Sequence, residues 1–190
     1  MSRQRPRCRL EMADSAKMHG MTPADSPHHE WAGRLADKVA RQTGVELHAH
    51  VVARVAALLF REPLHYVDLD AEETPGGLSG RLCVWTERHL AVVTLRGVLV
   101  PGAGNNIDEH GAVAVTIVPR SGLRHIEIPA HPSHNQAWDS ALQEDRWTWP
   151  QDAQLLLTYE GLDGPLTVPA GAAHEGFGEL VLGLAEDQSR

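Results

Sequence analysis

Two rhythms of apolar positions divide the chain near Pro63. Upstream of it, Trp31, Leu35 and Val39 recur at i, i+4 and i+8, the spacing that lines up side chains along one stripe of an α-helix. Ser26-Pro27 supplies a start for that helix, because Ser is a favoured N-cap and Pro gives up nothing at the first helical position; Gly44 ends it. Thr43 and Glu46 have the spacing of a T-x-x-E capping box, which predicts a second helix beginning there. Leu47, Val51, Val55, Leu58 and Leu59 carry its apolar face until Pro63 stops it. Residues 26–62 are thus expected to form a helical hairpin. Residues 1–25 mix basic, small and polar types without a period and read as a disordered leader.

Downstream of Pro63 the period becomes two and turn residues punctuate the chain regularly, the pattern of an antiparallel β structure. The expected strands are Leu64–Asp70, Arg81–Thr86, His89–Arg96, Ala112–Val118, Leu123–Pro129, Ala153–Glu160 and Pro165–Pro169. Leu82 and Val84 alternate with Cys83 and Trp85, and Val113, Val115 and Ile117 alternate with Ala114, Thr116 and Val118. Such strands are apolar on both faces, so they belong at the centre of the fold. Gly161-Leu162-Asp163-Gly164 is suited to a hairpin loop. Phe177, Leu180, Val181 and Leu184 then give a final amphipathic helix, whose apolar face must cover something; the open end of a barrel is the natural candidate.

Charge refines this picture. The net charge of −8 is split unevenly: residues 1–62 hold ten Lys or Arg and seven Asp or Glu, whereas residues 63–190 hold seven Arg, no Lys and eighteen Asp or Glu. An acidic domain repels phosphate backbones and anionic headgroups, which argues against nucleic-acid and membrane-surface partners. Cys8 and Cys83 are too few for a disulfide scaffold and read as free thiols of a reducing compartment. Arg3, Arg5, Arg7 and Arg9 open the chain without an apolar stretch behind them, so no signal peptide is indicated. The apolar run Val51–Phe60 is far shorter than the roughly 20 residues of a membrane span. A soluble cytoplasmic protein is expected.

Leu82-Cys83-Val84-Trp85-Thr86-Glu87-Arg88-His89-Leu90-Ala91-Val92-Val93 runs as an apolar strand, a polar turn and a second apolar strand. It resembles the first hairpin of the bacterial pleckstrin-homology-like domains, which commonly reads as an apolar strand, Thr-Asp/Asn-Arg/Lys-Arg-Leu, and a second apolar strand. Val115-Thr116-Ile117-Val118-Pro119, followed by Arg120-Ser121-Gly122 and by Leu123-Arg124-His125-Ile126-Glu127-Ile128, is similar to a later strand–turn–strand of the family. The resemblance covers residues 64–186. It implies an α+β fold in which a seven-stranded antiparallel open β-barrel, built as two nearly orthogonal sheets, is capped by the C-terminal helix; the helical hairpin precedes it. The resemblance also implies a non-catalytic binding or assembly module without a cofactor. Three features depart from the family pattern. The acidic balance leaves no basic phosphoinositide pocket, Gly97–Gly111 and Ala130–Asp152 are long, and the hairpin lies outside the match.

The candidate chemistry is sparse. Ala130–Asp152 carries Trp138, Trp147 and Trp149 among polar residues, and Trp is favoured at binding hot spots; these three, with Trp31 on the helical stripe, are the expected contacts to a protein partner or a second copy. The competing expectation is that the loop folds back and buries its own tryptophans. His131, His134 and Asp139 could supply ligands to a metal, the basis of an alternative reading as a metal-dependent hydrolase. His48 and His50 sit two apart on a helix and face different ways, which suits surface residues. Asp68 and Asp70 share one face of a strand and are expected at a solvated edge. Asn105, Asn106, Asp108 and Glu109 lack the spacing of a calcium loop. Gly77-Leu78-Ser79-Gly80-Arg81 lacks the last Gly of a nucleophile elbow, Gly102-Ala103-Gly104 lacks the third Gly of a dinucleotide loop, and Cys83 has no activating neighbour. No catalytic residue and no metal ligand is assigned.

Overall fold

A computed structural model describes residues 26–99, 111–130, 138, 139, 141, 149, 150, 153–171 and 173–188. Two helices, α1 (Pro27–Thr43) and α2 (Ala49–Leu59), precede four strands: β1 (Leu64–Thr74), β2 (Gly77–Thr86), β3 (His89–Val98) and β4 (Ala112–Pro119). A 3-10 turn, Arg120–Gly122, leads into β5 (Leu123–Glu127), β6 (Leu155–Tyr159) and β7 (Leu166–Val168), and α3 (Phe177–Gln188) follows. The class is α+β. The strands form two antiparallel sheets, ordered β1-β2-β3-β4 and β5-β6-β7, and no pairing closes them into one barrel among the described residues. The expected leader, residues 1–25, lies outside those residues.

Local chemistry sets the helix ends. Pro27 opens α1, and Gly44 closes it in the left-handed conformation with its N–H on the Ala40 carbonyl, a geometry in which Gly carries no Cβ penalty. The expected capping box does not form. Thr43 is the last residue of α1, its hydroxyl donates to the Val39 carbonyl at 2.8 Å and accepts from Val45 N, and α2 begins only at Ala49 with the His48 side chain as its cap. His48 and His50 are therefore structural: Arg54 packs against His50, with Nη1 2.9 Å from Nδ1.

The hairpin of helices lies on the four-stranded sheet. Trp31, Leu35 and Val39 of α1, with Val51, Val55 and Leu59 of α2, share one buried cluster with Val67, Leu82, Val84, Ala91 and Val93. The cross-strand register, Val67↔Val84↔Ala91 and Leu82↔Val93, puts these residues on one face. The opposite face carries Tyr66, Cys83, Trp85 and Leu90, which form a second cluster with Leu123, Leu155, Leu157, Tyr159, Leu166 and Val168 of the smaller sheet and Phe177, Leu180 and Leu184 of α3. The large sheet is thus a middle layer, which is why β2 is apolar on both faces. The helical hairpin and the large sheet share one buried cluster.

Candidate functional site

Trp31, expected at a partner contact, is instead core. It is 1% exposed, and its indole N–H donates to the Glu62 carbonyl at 2.8 Å. A ring enclosed in this way offers a partner no surface. Trp149 is half-buried, with its N–H on the Ala153 carbonyl at 2.6 Å. Trp138 meets Trp149 edge-on at 5.2 Å between ring centres, and Trp149 meets Phe177 of α3 at 5.3 Å. From Phe177 the series continues to Tyr66 and Trp85. These two loop tryptophans therefore pack with the protein's own aromatic core, as edge-to-face pairs favour. Trp147, His131 and His134 lie outside the described residues, and Asp139 is exposed.

The densest polar cluster was not legible in the sequence. Glu62, at the turn between α2 and β1, is 7% exposed. Its carboxylate accepts from the Thr86 hydroxyl and His89 Nδ1, each at 2.6 Å, and from Arg88 N at 3.2 Å. Burial opposes ionisation of Glu62, but the bonds from Thr86, His89 and the Arg88 amide outweigh it and hold the carboxyl below its usual range. The cluster resembles a carboxylate-oriented histidine, yet its hydroxyl is engaged with both Glu62 and the His89 backbone. Its chemistry is that of a clasp joining the helical hairpin to the β2–β3 turn.

A second clasp closes the other layer. Arg120 is 6% exposed and directs Nε and Nη2 at one oxygen of Asp187 in α3, at 2.8 and 2.7 Å. Its Nη1 donates to the Thr86 carbonyl at 3.1 Å and lies 3.3 Å from His65 Nδ1. Asp68, expected at a solvated edge, is buried; both carboxylate oxygens accept from Ala170 N, at 3.1 and 3.0 Å. Burial raises its pKa above the usual carboxylate value. Only Asp70 matches the expected solvated pattern, paired loosely with Arg81 at 3.3 Å. Cys83 is fully enclosed, and burial pushes its thiol up to about 12, the reverse of activation.

Two neighbouring grooves show how the charges are arranged. One, of about 580 Å³, is lined by Arg34, Lys38, Arg41 and Arg61 together with Asp37 and Glu62, with Phe60 as an apolar wall. The other, of about 590 Å³, takes Glu87, Glu179, Glu186 and Asp187 with Arg120. Partial burial, then the neighbouring Arg41, lowers the pKa of Lys38. Among the described residues no group of three or more His, Cys, Asp or Glu is placed to hold a metal. No helix among them is long and apolar enough to cross a membrane.

The strand edges differ sharply. The β1 edge carries Asp70, Glu72 and Glu73; β5 carries Arg124, His125 and Glu127; β7 is three residues long and is followed by Pro169. All of these are ordinary guards against pairing with another chain. β4, Ala-Val-Ala-Val-Thr-Ile-Val-Pro, has no charge over eight residues and pairs on one side only, with β3, among the described residues. Ala112, Ala114 and Thr116 are exposed, and Val113, Val115 and Ile117 are half-buried. Leu58, on the helix that packs over this strand, is 61% exposed. The two-sided apolar pattern of β4 suggests central placement, whereas among the described residues the strand stands at the edge of its sheet.

No family model matches the chain, and no curated protein matches it in sequence.

Proposed function

We propose that this chain is a non-catalytic protein-binding or self-assembly module of bacterial PH-like type, which adds a partner strand to its β4 edge. The β4 edge carries the reading: an uncharged strand that pairs on one side only among the described residues favours strand addition, in which backbone hydrogen bonds give affinity and alternate side chains give specificity. The succession of four strands, three strands and a C-terminal helix supports the PH-like assignment, with the two sheets as the halves of an open barrel. A cytoplasmic location accords with the two cysteines, one of them an enclosed thiol. The engagement of Trp138 and Trp149 with Phe177 gives the aromatic loop a smaller part than the edge.

The experiment is a titration of the full chain into a fluorescent peptide of alternating Thr and Val, a strand former with no charge of its own, read by anisotropy. Saturable binding is expected, with loss of binding in Ala114→Lys/Thr116→Lys. Both positions are exposed, so the thermal transition should be unchanged. No binding by the wild-type chain at a concentration where it is monomeric would overturn the reading.

A further inference from the structure

We infer that the strand taken up by β4 is the β4 strand of a second copy, paired antiparallel about Val115 so that two four-stranded sheets become one of eight. This rests on the reading of β4 as a docking edge. A two-fold axis through a strand pairs residue i with residue j and j with i, so the strand must complement itself when reversed. Centred on Val115, β4 does so: Val113 falls opposite Ile117 of the second copy, Val115 opposite Val115, Ala114 opposite Thr116, and Ala112 opposite Val118. Side chains opposite one another share a face. The larger aliphatic pairs therefore meet on the side that packs on the helical hairpin, and the small Ala–Thr pair meets on the exposed side. No charge enters the seam.

Main-chain pairing along one strand makes a small interface, and something beside it must add buried apolar area. Leu58 is placed for that: it is exposed on α2, the helix over β4. The axis brings both copies of α2 to the same side of the joined sheet, where the two Leu58 side chains extend the seam. The chain's net charge of −8 opposes association, so the contact is expected where the acidic groups are absent, as they are along β4.

The test uses the full chain with Cys8→Ser, leaving only the enclosed Cys83. Sedimentation velocity should show a dimer that Leu58→Glu weakens about tenfold or more, a change equivalent to about 1.4 kcal/mol. Val115→Cys should give a disulfide-linked dimer on mild oxidation, because only this position faces itself. Ala114→Cys and Thr116→Cys should each stay uncoupled alone and cross-link when mixed; both positions are exposed, so this pair reads the register even if Val115→Cys perturbs folding. A chain that sediments as a monomer, or a dimer that cross-links at other pairs, overturns the inference. If the monomeric chain still binds the Thr-Val peptide, the docking edge stands and its partner is another protein. If it binds neither, both readings fall together.

Discussion

Replacing Arg120 by Met should loosen α3 from the sheets, and its cost can be worked from the contacts. The guanidinium sits at 6% exposure with two donors on Asp187, a third on the Thr86 carbonyl and His65 alongside. Met fills a similar length of hydrocarbon, so the loss is mainly electrostatic. It leaves Asp187, whose side chain is 14% exposed, without its countercharge, and leaves the Thr86 carbonyl short of a donor. Removing one partner from a buried pair costs about 3–5 kcal/mol, whereas replacing both partners by apolar groups is often close to neutral.

The prediction is therefore a cycle. Arg120→Met should lower the urea midpoint by about 2 M, taking a slope near 2 kcal/mol/M, and Arg120→Met/Asp187→Leu should regain more than half of that. Tryptophan fluorescence and far-ultraviolet circular dichroism follow the transition, since Trp85 lies in the cluster covered by α3. A single-variant loss below about 1 kcal/mol, or a double variant as unstable as the single, would refute the view that this pair holds α3 on the sheets. Gly183 gives an independent check on the same contact: a methyl group there would stand 2.8 Å from Arg120 Nη2, so Gly183→Ala should lower the midpoint in the wild type and cost much less in the double variant.

Two further outcomes follow from the other half of the fold. Glu62→Gln should cost about 1.5–3 kcal/mol near pH 7, the range for bonds to a charged group. The Glu62 carboxyl is depressed in the folded state, so its contribution is complete above the unfolded value of 4.5 and disappears as pH falls through the folded value; a gap between the two proteins that stays constant from pH 7 to pH 3 in urea melts would contradict the clasp. Gly80→Ala should cost about 1–3 kcal/mol or more by overpacking, because Gly80 has φ +146° and an added Cβ would collide with the Asp70 carbonyl and Ala71 of β1; an unchanged melting temperature would contradict the close β1–β2 approach.

The strands were legible because half-buried sheets write their alternation into the sequence. Their ends were not. β1 continues to Thr74 through Ala71, Glu72 and Glu73, and β2 begins at Gly77, although these residues have little strand preference. The pairing Glu73↔Leu78 and Thr74↔Gly77 around a tight turn supplies what propensity does not. Asp68 could not be read as buried, since its partner amide, Ala170, lies 102 positions away. In the sequence Glu62 simply precedes Pro63 at the end of the helical segment; nothing local shows that Thr86 and His89 come to meet it. The stripe of Trp31, Leu35 and Val39 was plain, but a stripe does not say whether its cover belongs to the same chain. Here β1 and its neighbours provide it.

The layering restricts where an interaction can occur. The two central strands of the large sheet are covered by helices on one face and by the smaller sheet with α3 on the other, so they have no surface to offer. The β1 edge is acidic and tied at Asp68 to the chain beyond β7. The corner of the fold richest in polar groups is occupied with its own clasps, Glu62 with Thr86 and His89, and Arg120 with Asp187. Each of these spends its hydrogen-bonding capacity inside the molecule, and a site that must bind something else needs capacity left over. Along β4, which among the described residues pairs only with β3, the outer main-chain groups provide it, next to an exposed leucine and without a charge to turn another strand away.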